Sequence, residues 1–494
     1  MSGGIDLKIL IVGGAGREHA IALAFSRSVY SPKIYCISEM INIGIKKIVD
    51  ASGGEYFRGN INNPEEVAKF ASKVDLVFIG PEEPNFHGVP DKLEEMGIPC
   101  IGANKAVSEI EMSKATMRDI QWKYKIPGRL WYKKFKNFEE AIPYIEEYAE
   151  SIALKPARQA GGKGVKVIED FQVYLQDEKR KIKKQHAESI VKEYMKDYDL
   201  EYKLLIEERV WGPEYTLQCF TDGRTVLPMP AVQDNKHAFD GDLGMETGGM
   251  GSISCGRTIK YGIDSDISIL TEEEYWKSVE IVRMMVEAIQ KETGKKYHGV
   301  VAGQMMLTSI WGPTIIEMYS RFGDPEAANV LTILKTDIVE ICEAIIDERL
   351  NTIKAEFEEK AVVVKAVCPE GYPNNRNLAK NHPVKIDNEN GILFASVDII
   401  NGKIVTGGSR IVECIGIGNT IPEASLIAEK LCHNVKLEDG WRTFHRSDIG
   451  SEKSFRRRLE LANLAREIYQ YRERKGLLGR KIIWIPGKGL MEVG

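Results

Sequence analysis

The sequence predicts an α/β protein: an N-terminal open parallel-sheet domain, a larger hinged core, and a small strand-rich C-terminal domain. Three observations predict it. In the first hundred residues continuous apolar runs (residues 7–12, KIYCIS from Lys33, VDLVFIG from Val74, GIPCIG from Gly97) alternate with helical patterns, and strands apolar at every position belong to sheets covered on both faces. A helical pattern over 108–124 is then broken by Pro127 and Gly128, which marks a hinge. From Ala361 a strand-rich segment closes with GGSRIVECIGIG and a helix from Ile421.

The 494 residues suffice for two to four domains at roughly 100–200 residues each. With 67 basic against 72 acidic residues the formal charge is −5, which leaves no broad positive face for nucleic acid or an anionic membrane. No apolar run approaches the ~20 residues that span a bilayer, and 7–12 reads as a strand without a cleavable leader before it, so a cytoplasmic protein is expected. The eight cysteines stand singly, without a CxxC pair, as small buried hydrophobes do in a reducing compartment.

Between hinge and C-terminal domain, a charged helix at 176–197 reads as a solvated face and leads into the strand KLLIEE. Four more strands follow, YTLQCF, TVLPMP, VVAGQMML and TIIEMY. The polar, glycine-rich stretch 233–256 among them has no periodicity and is expected as an irregular segment, a functional loop or disordered. A helix around 337–350 and a basic helix over 455–475 complete the pattern.

Four motifs carry chemistry. Gly13-Gly14-Ala15-Gly16-Arg17-Glu18-His19 lies between a strand and a helix, where backbone N–H groups bind phosphate. His19 stands where a dinucleotide fingerprint needs its third glycine, so a phosphate site without a dinucleotide fits better, and a plain tight turn is the alternative. Gln159-Ala160-Gly161-Gly162-Lys163-Gly164 lacks Walker spacing; with strands expected on both sides it reads as a flap over nucleotide phosphates, with Lys155 and Lys163 supplying charge. Glu207-Glu208-Arg209-Val210 ends a strand before Gly212-Pro213-Glu214, a pattern suited to adenine and ribose or, equally, to a strand end with surface charges. Gln304 and Glu317 lie on strands joined by a short turn and could offer two oxygens to one magnesium; Arg321, four residues on, could stabilise a transferring phosphoryl group.

In this order the pieces resemble the ATP-grasp ligases, and within them the phosphoribosylamine–glycine ligase family. The carriers are GGAGREHA, GPEEP at 80–84, QAGGKGV, PAVQDNKHAFDGDLGMETGGMGS at 230–252, RFGDPEA from Arg321 and RTFHRSDIG near the end, so the similarity runs over about 7–449. The resemblance implies an ATP-grasp core with a mobile flap subdomain, and domains at 1–107, 108–345 (flap about 127–208), 346–447 and a helical extension at 448–494. It implies that ATP phosphorylates the carboxylate of glycine and that the amine of 5-phosphoribosylamine attacks the glycyl phosphate. Its cofactors would be ATP and Mg2+ or Mn2+, its partners those two small molecules, with no nucleic acid or membrane, in a monofunctional monomer.

The same resemblance distributes the residues. Lys114, Lys155, Gly161, Gly162, Lys163 and Gly164 would handle ATP phosphates, Glu207, Glu208 and Val210 adenine, and Glu214 ribose. Gly13, Gly14, Gly16, Arg17 and Glu82 would face the phosphoribosyl group. Lys236, Asp240, Asp242, Gly248 and Gly249 would line the substrate pocket. Arg321 and Asp324 would act at the reaction centre with Lys236 and Asp240, and Glu317 and Gln304 would hold the metal. Two positions depart from the family pattern: Tyr319 replaces the Asn of Glu-x-Asn, and Met245-Glu246 precedes Thr247 where Pro-Asn is typical. A carboxylase-type ATP-grasp enzyme and a nucleotide binder without ligase activity stand as rivals; a nicotinamide-dependent dehydrogenase leaves the second and third motifs unexplained.

Overall fold

The strand Lys8–Val12 is apolar from Ile9 onward because both of its faces are covered: Ile9 and Ile11 join one buried cluster, Leu10 and Val12 another. It is the middle strand of a five-stranded, wholly parallel sheet in the order Tyr56–Arg58, Lys33–Ser38, Lys8–Val12, Leu76–Ile79, Cys100–Ile101. Strand order reverses on either side of this first strand, and in open parallel sheets ligands bind at that switch point, beyond the carboxyl ends of the strands. The loop at Gly13 leaves the sheet there. The computed structural model describes residues 7–148, 152–158, 176–479, 482–485 and 489–492. It divides into two compact units, 1–108 with 214–304 and 319–460, and 109–213 with 305–318 and 461–494.

In the first unit the helix Gly16–Ser26 follows the central strand and buries Ala20, Ile21 and Phe25. The helix Glu272–Thr293 starts at a reciprocal cap, in which Thr271 Oγ1 accepts the Glu274 N–H and Glu274 Oε2 accepts the Thr271 N–H. The second sheet of this unit runs Gln233–Asp234, Gly251–Cys255, Ala361–Pro369, Val412–Gly418, Ile392–Phe394, all antiparallel, with Thr443–Phe444 beside Ala361–Pro369. The helix Ile421–Cys432 lies so close on Val412–Gly418 that a Cβ at Gly416 would sit 1.8 Å from the Ala424 carbonyl oxygen. A four-stranded sheet, Val397–Ile400, Lys403–Gly407, Lys380–Ile386, Val435–Leu437, completes the strand-rich region.

In the second unit Leu204–Glu208 is the middle of three antiparallel strands, flanked by Tyr132–Phe135 and Ile152–Pro156. Phe135, Ile145, Leu154, Ala187, Ile190, Leu204 and Ile206 form its core under the helices Ile142–Tyr148 and Gln176–Ser189. The expected glycine flap at 159–164 lies outside the described residues.

Three sequence expectations are corrected. The helical pattern at 108–124 is two helices, Lys105–Met112 and Lys114–Lys123, because Ser113 caps the second by accepting the Thr116 N–H. The stretch 233–256 is not irregular: it contains Gln233–Asp234, His237–Phe239, Leu243–Glu246 and Gly251–Cys255. Strands of two to five residues, one of them exposed at every position, leave no alternation to read. The charged helix stops at Ser189 and continues as one π turn, Ile190–Tyr194. Seven of the eight cysteines are buried and all are free thiols. Among the described residues no helix is long and apolar enough to cross a membrane.

Candidate active site

The loop after the central strand is shaped by close approaches. Gly13 has φ +115°, and a Cβ there would lie 2.7 Å from Pro81 Cδ. A Cβ on Gly16 would lie 2.6 Å from the carboxyl carbon of Glu413. Arg17 lies in the first turn of the following helix but is 5% exposed. Its Nε donates to Glu18 Oε1 at 2.6 Å, its Nη1 donates to the Phe322 carbonyl at 3.1 Å, and Nη1 lies 3.9 Å from Glu82 Oε2. Arg321 Nε donates to the same Glu82 oxygen at 3.0 Å. Burial raises the Glu82 pKa, but Arg321 and Arg17 outweigh it and hold the carboxylate below its ordinary range. The guanidinium of Arg321 also lies over the Tyr319 ring, 4.3 Å from its centroid.

Asp324, three residues on, is paired with Arg410 (Nη2 to Oδ2, 3.2 Å), whose Nη1 donates to the Asp324, Gly248 and Gly249 carbonyls at 2.9, 3.2 and 3.2 Å. Desolvation would raise the Asp324 pKa; Arg410, with Arg17 and Arg321 further off, brings it down to about 2. Burial and the neighbouring Asp324 push Glu413, fully buried, far up instead. Thus Arg17, Glu82, Arg321 and Asp324, with Gly13, Gly14, Gly16, Gly248 and Gly249 in the adjoining loops, come together in one unit.

A second group in that unit surrounds Glu214. Lys236 Nζ is 3.3 Å from Glu214 Oε2 and 3.9 Å from Asp234. Gln304 is fully buried: its Nε2 donates to Glu214 at 3.2 Å and Asp234 at 3.3 Å, and its Oε1 accepts from Thr216 Oγ1 at 2.9 Å. The amide expected to offer a metal its oxygen therefore braces two carboxylates. Thr216 Oγ1 is also 3.0 Å from Glu326 Oε1, and burial next to Asp234 lifts Glu326 to about 7. Asp240 and Asp242 are held elsewhere. Asp240 accepts from the Ser447 N–H at 3.0 Å and Oγ at 2.6 Å, and Asp242 from Arg446 at 2.9 Å and Arg458 at 3.1 Å.

In the second unit Glu207 is 1% exposed and clamped between Arg118 (Nε 2.7 Å, Nη2 3.0 Å) and Lys155 (2.9 Å). Burial opposes the charge, yet the two cations bring its pKa to about 2. Glu208 Oε1 accepts the Trp131 N–H at 2.8 Å and Trp311 Nε1–H at 2.9 Å. Both glutamate side chains are thus committed internally. Lys114 Nζ is 3.1 Å from Glu317 Oε1. Gly161, Gly162, Lys163 and Gly164 lie outside the described residues.

Sequence reasoning missed Arg118, Arg410, Glu413 and Glu326. Arg118 had a signal: it follows Lys114 by one helical turn on one face. Arg410 and Glu413 had none locally, because their partners are Asp324 and Gly16, far away in sequence.

The family models for phosphoribosylglycinamide synthetase match in three consecutive parts: the N domain over residues 7–111, the ATP-grasp (A) domain over 112–327 and the C domain over 362–452. The chain belongs to the phosphoribosylglycinamide synthetase family. It has the architecture of that family, an N domain, an ATP-grasp core and a C-terminal domain. Relatives in the synthetase family include the phosphoribosylamine–glycine ligase of Methanocaldococcus jannaschii, 40% identical over 469 residues, covering 92% of this chain and 99% of that protein. The ligase of the same name from Methanobrevibacter smithii is 37% identical over 462 residues, covering 92% and 98%. Among solved structures, the phosphoribosylamine–glycine ligase of Thermotoga maritima superposes with a TM-score of 0.72 at 26% identity, covering 90% of this chain and 100% of that one. The biotin carboxylase domain of Hydrogenobacter thermophilus 2-oxoglutarate carboxylase shares the fold alone, with a TM-score of 0.64 at 17% identity, covering 94% and 98%.

Proposed function

We propose that this chain joins glycine to 5-phosphoribosylamine at the expense of ATP, giving glycinamide ribonucleotide, ADP and phosphate through a glycyl phosphate. The observation that carries this reading is the set Arg17, Glu82, Arg321 and Asp324 at the switch-point loop of a synthetase-family chain. In the first step a glycine carboxylate oxygen attacks the γ-phosphorus and the bond to ADP breaks. In the second the amine nitrogen attacks the carbonyl carbon, the bond to phosphate breaks, and the nitrogen gives up one proton.

Each residue group has a task in that sequence. Backbone N–H groups of Gly14 and Gly16 bind the ribosyl phosphate at the start of a helix, next to Gly13, whose own N–H is held by the Ile37 carbonyl, and Glu82 accepts the ribose hydroxyls. Arg321 neutralises charge on the transferring phosphoryl group, while Asp324, kept ionised, holds the 248–249 turn through Arg410. Lys236 acts beside Glu214, which takes the nucleotide ribose; Asp240 and Asp242 fix the substrate hairpin. Lys114 and Lys155, with Gly161, Gly162, Lys163 and Gly164, neutralise the ATP phosphates, and adenine meets the backbone of Glu208 and Val210. Water must be excluded from the glycyl phosphate, which the flap would do.

Magnesium or manganese fits one donor here. Glu317, with its side chain 24% exposed beside Lys114, offers a hard carboxylate oxygen, and such ions take one or two carboxylates with nucleotide phosphates completing the shell. Bound there, the metal would supply neutralisation of phosphate charge. The protein acts as a cytoplasmic monomer. Glycine labelled with 18O in its carboxylate tests the reading: one label should pass to inorganic phosphate while glycinamide ribonucleotide forms. Product with unlabelled phosphate would exclude the acyl phosphate, and no product would exclude the ligase.

A further inference from the structure

Outside the groups that the reaction uses, the strand-rich region holds two histidines and one glutamate at ligand distance from one another. Glu429 lies in the last turn of the helix Ile421–Cys432, and His433, the residue that caps that helix, is one turn further on the same face. His445 comes from a different element, directly after the strand Thr443–Phe444. One ligand atom from each of the three lies within 4.8 Å of the others.

The carboxylate is oriented before any ion arrives. Lys365, 1% exposed, donates to Glu429 Oε2 at 2.6 Å and to the Ser447 carbonyl at 3.0 Å. That fixes Oε2 and leaves Oε1 facing the imidazoles, 2.8 Å from His445 Nε2 and 3.5 Å from His433 Nε2. Ligands about 2.0–2.1 Å from a tetrahedral zinc stand about 3.3 Å apart, which these two separations bracket. The rings meet edge to face, with centroids 5.6 Å apart. A lysine that holds one carboxylate oxygen plays the part of the outer partner that aims a ligand. The nearby thiols of Cys432 and Cys414 are buried in the apolar cluster of Val412, Phe394 and Leu437.

We propose that Glu429, His433 and His445 form a site for one zinc-class divalent cation, with Glu429 Oε1 and a nitrogen of each imidazole as ligands and water completing the shell. Two nitrogen donors select Zn2+, Co2+, Ni2+ or Cu2+ over magnesium, which takes oxygen. The ion would tie the end of the helix Ile421–Cys432 to the segment at 443–445. The site is separate from Glu317 and independent of the ligase reading.

Untagged, metal-stripped full chain, kept in excess Mg2+ so that oxygen sites are filled, is titrated with Zn2+ by calorimetry and with Co2+ by visible absorption. The expected result is saturable binding of one ion per chain, d–d bands without a thiolate charge-transfer band, and a zinc-dependent rise in Tm. His433→Ala should weaken zinc binding by more than about tenfold and abolish the Tm rise, while its turnover stays that of the parent; the His433 side chain is 70% exposed, so the variant folds. His445→Ala should lose the same binding. Absence of saturable binding, binding unchanged in His433→Ala, or a thiolate band overturns the proposal.

Discussion

Arg410 and Asp324 are joined twice: Arg410 Nη2 lies 3.2 Å from the Asp324 carboxylate, and Nη1 donates at 2.9 Å to the Asp324 main-chain oxygen. The same guanidinium binds the carbonyls of Gly248 and Gly249. One buried side chain from the C domain thus fixes two loops of the candidate site. Arg410→Ala leaves a buried carboxylate and three carbonyls without their donor, a change that costs about 3–5 kcal/mol. Its thermal transition should fall by several degrees and turnover by more than about a hundredfold. Arg410→Lys, lacking the planar fork, should recover only part of either. Differential scanning calorimetry and steady-state kinetics on both variants check this.

Glu207 links stability of the second unit to acid. Its folded pKa of about 2 is depressed from 4.5, so its contribution is complete above pH 4.5 and is lost as pH falls from there toward 2. Glu207→Gln leaves Arg118 and Lys155 buried without their anion. The variant should be less stable than the parent by roughly 3–5 kcal/mol at pH 7, with the gap closing toward pH 2–3. Hydrogen exchange of the Leu204–Glu208 strand against pH reads this locally, which matters in a chain of several domains.

Glu326 gives the opposite sign. Its folded pKa, about 7, is raised from 4.5, so it holds a proton that the unfolded chain loses, and stability falls as pH rises from about 4.5 through 7. Glu326→Gln keeps the neutral shape. The variant should match the parent near pH 4.5 and exceed it in Tm at pH 8, and scans across that window decide the matter.

Tyr319 and Arg321 make a further testable pair. The ring under the guanidinium contributes about 1 kcal/mol, so Tyr319→Asn should lower kcat about fivefold. If the asparagine restores an oxygen donor beside Glu317, the Mg2+ concentration for half-maximal turnover should fall several-fold. A magnesium titration of ADP release separates the two effects.

What was legible in the sequence was local. Lys8–Val12 from Ile9 onward and all of Leu76–Ile79 are apolar because both faces are covered, so runs and spacing revealed the parallel sheet and set the Gly13 loop between a strand and a helix. Tyr132–Phe135 was not legible: two lysines in four residues hide a strand that pairs on the flank of Leu204–Glu208. The hairpin of His237–Phe239 and Leu243–Glu246 was hidden because neither strand buries a whole face. Glu207 was recognised, but its clamp by Arg118 was not, since that ion pair bridges 89 residues. The pairing of Arg410 with Asp324 bridges 86, and only the folded chain brings such groups together.

In the ligase, ATP turnover is coupled to both substrates. ADP release by the purified protein should be measured with ATP, magnesium, glycine and freshly made phosphoribosylamine, leaving out each in turn. The expected result is rapid release only when all four are present. Release that is indifferent to glycine or to phosphoribosylamine, or ATP binding without turnover, would contradict it.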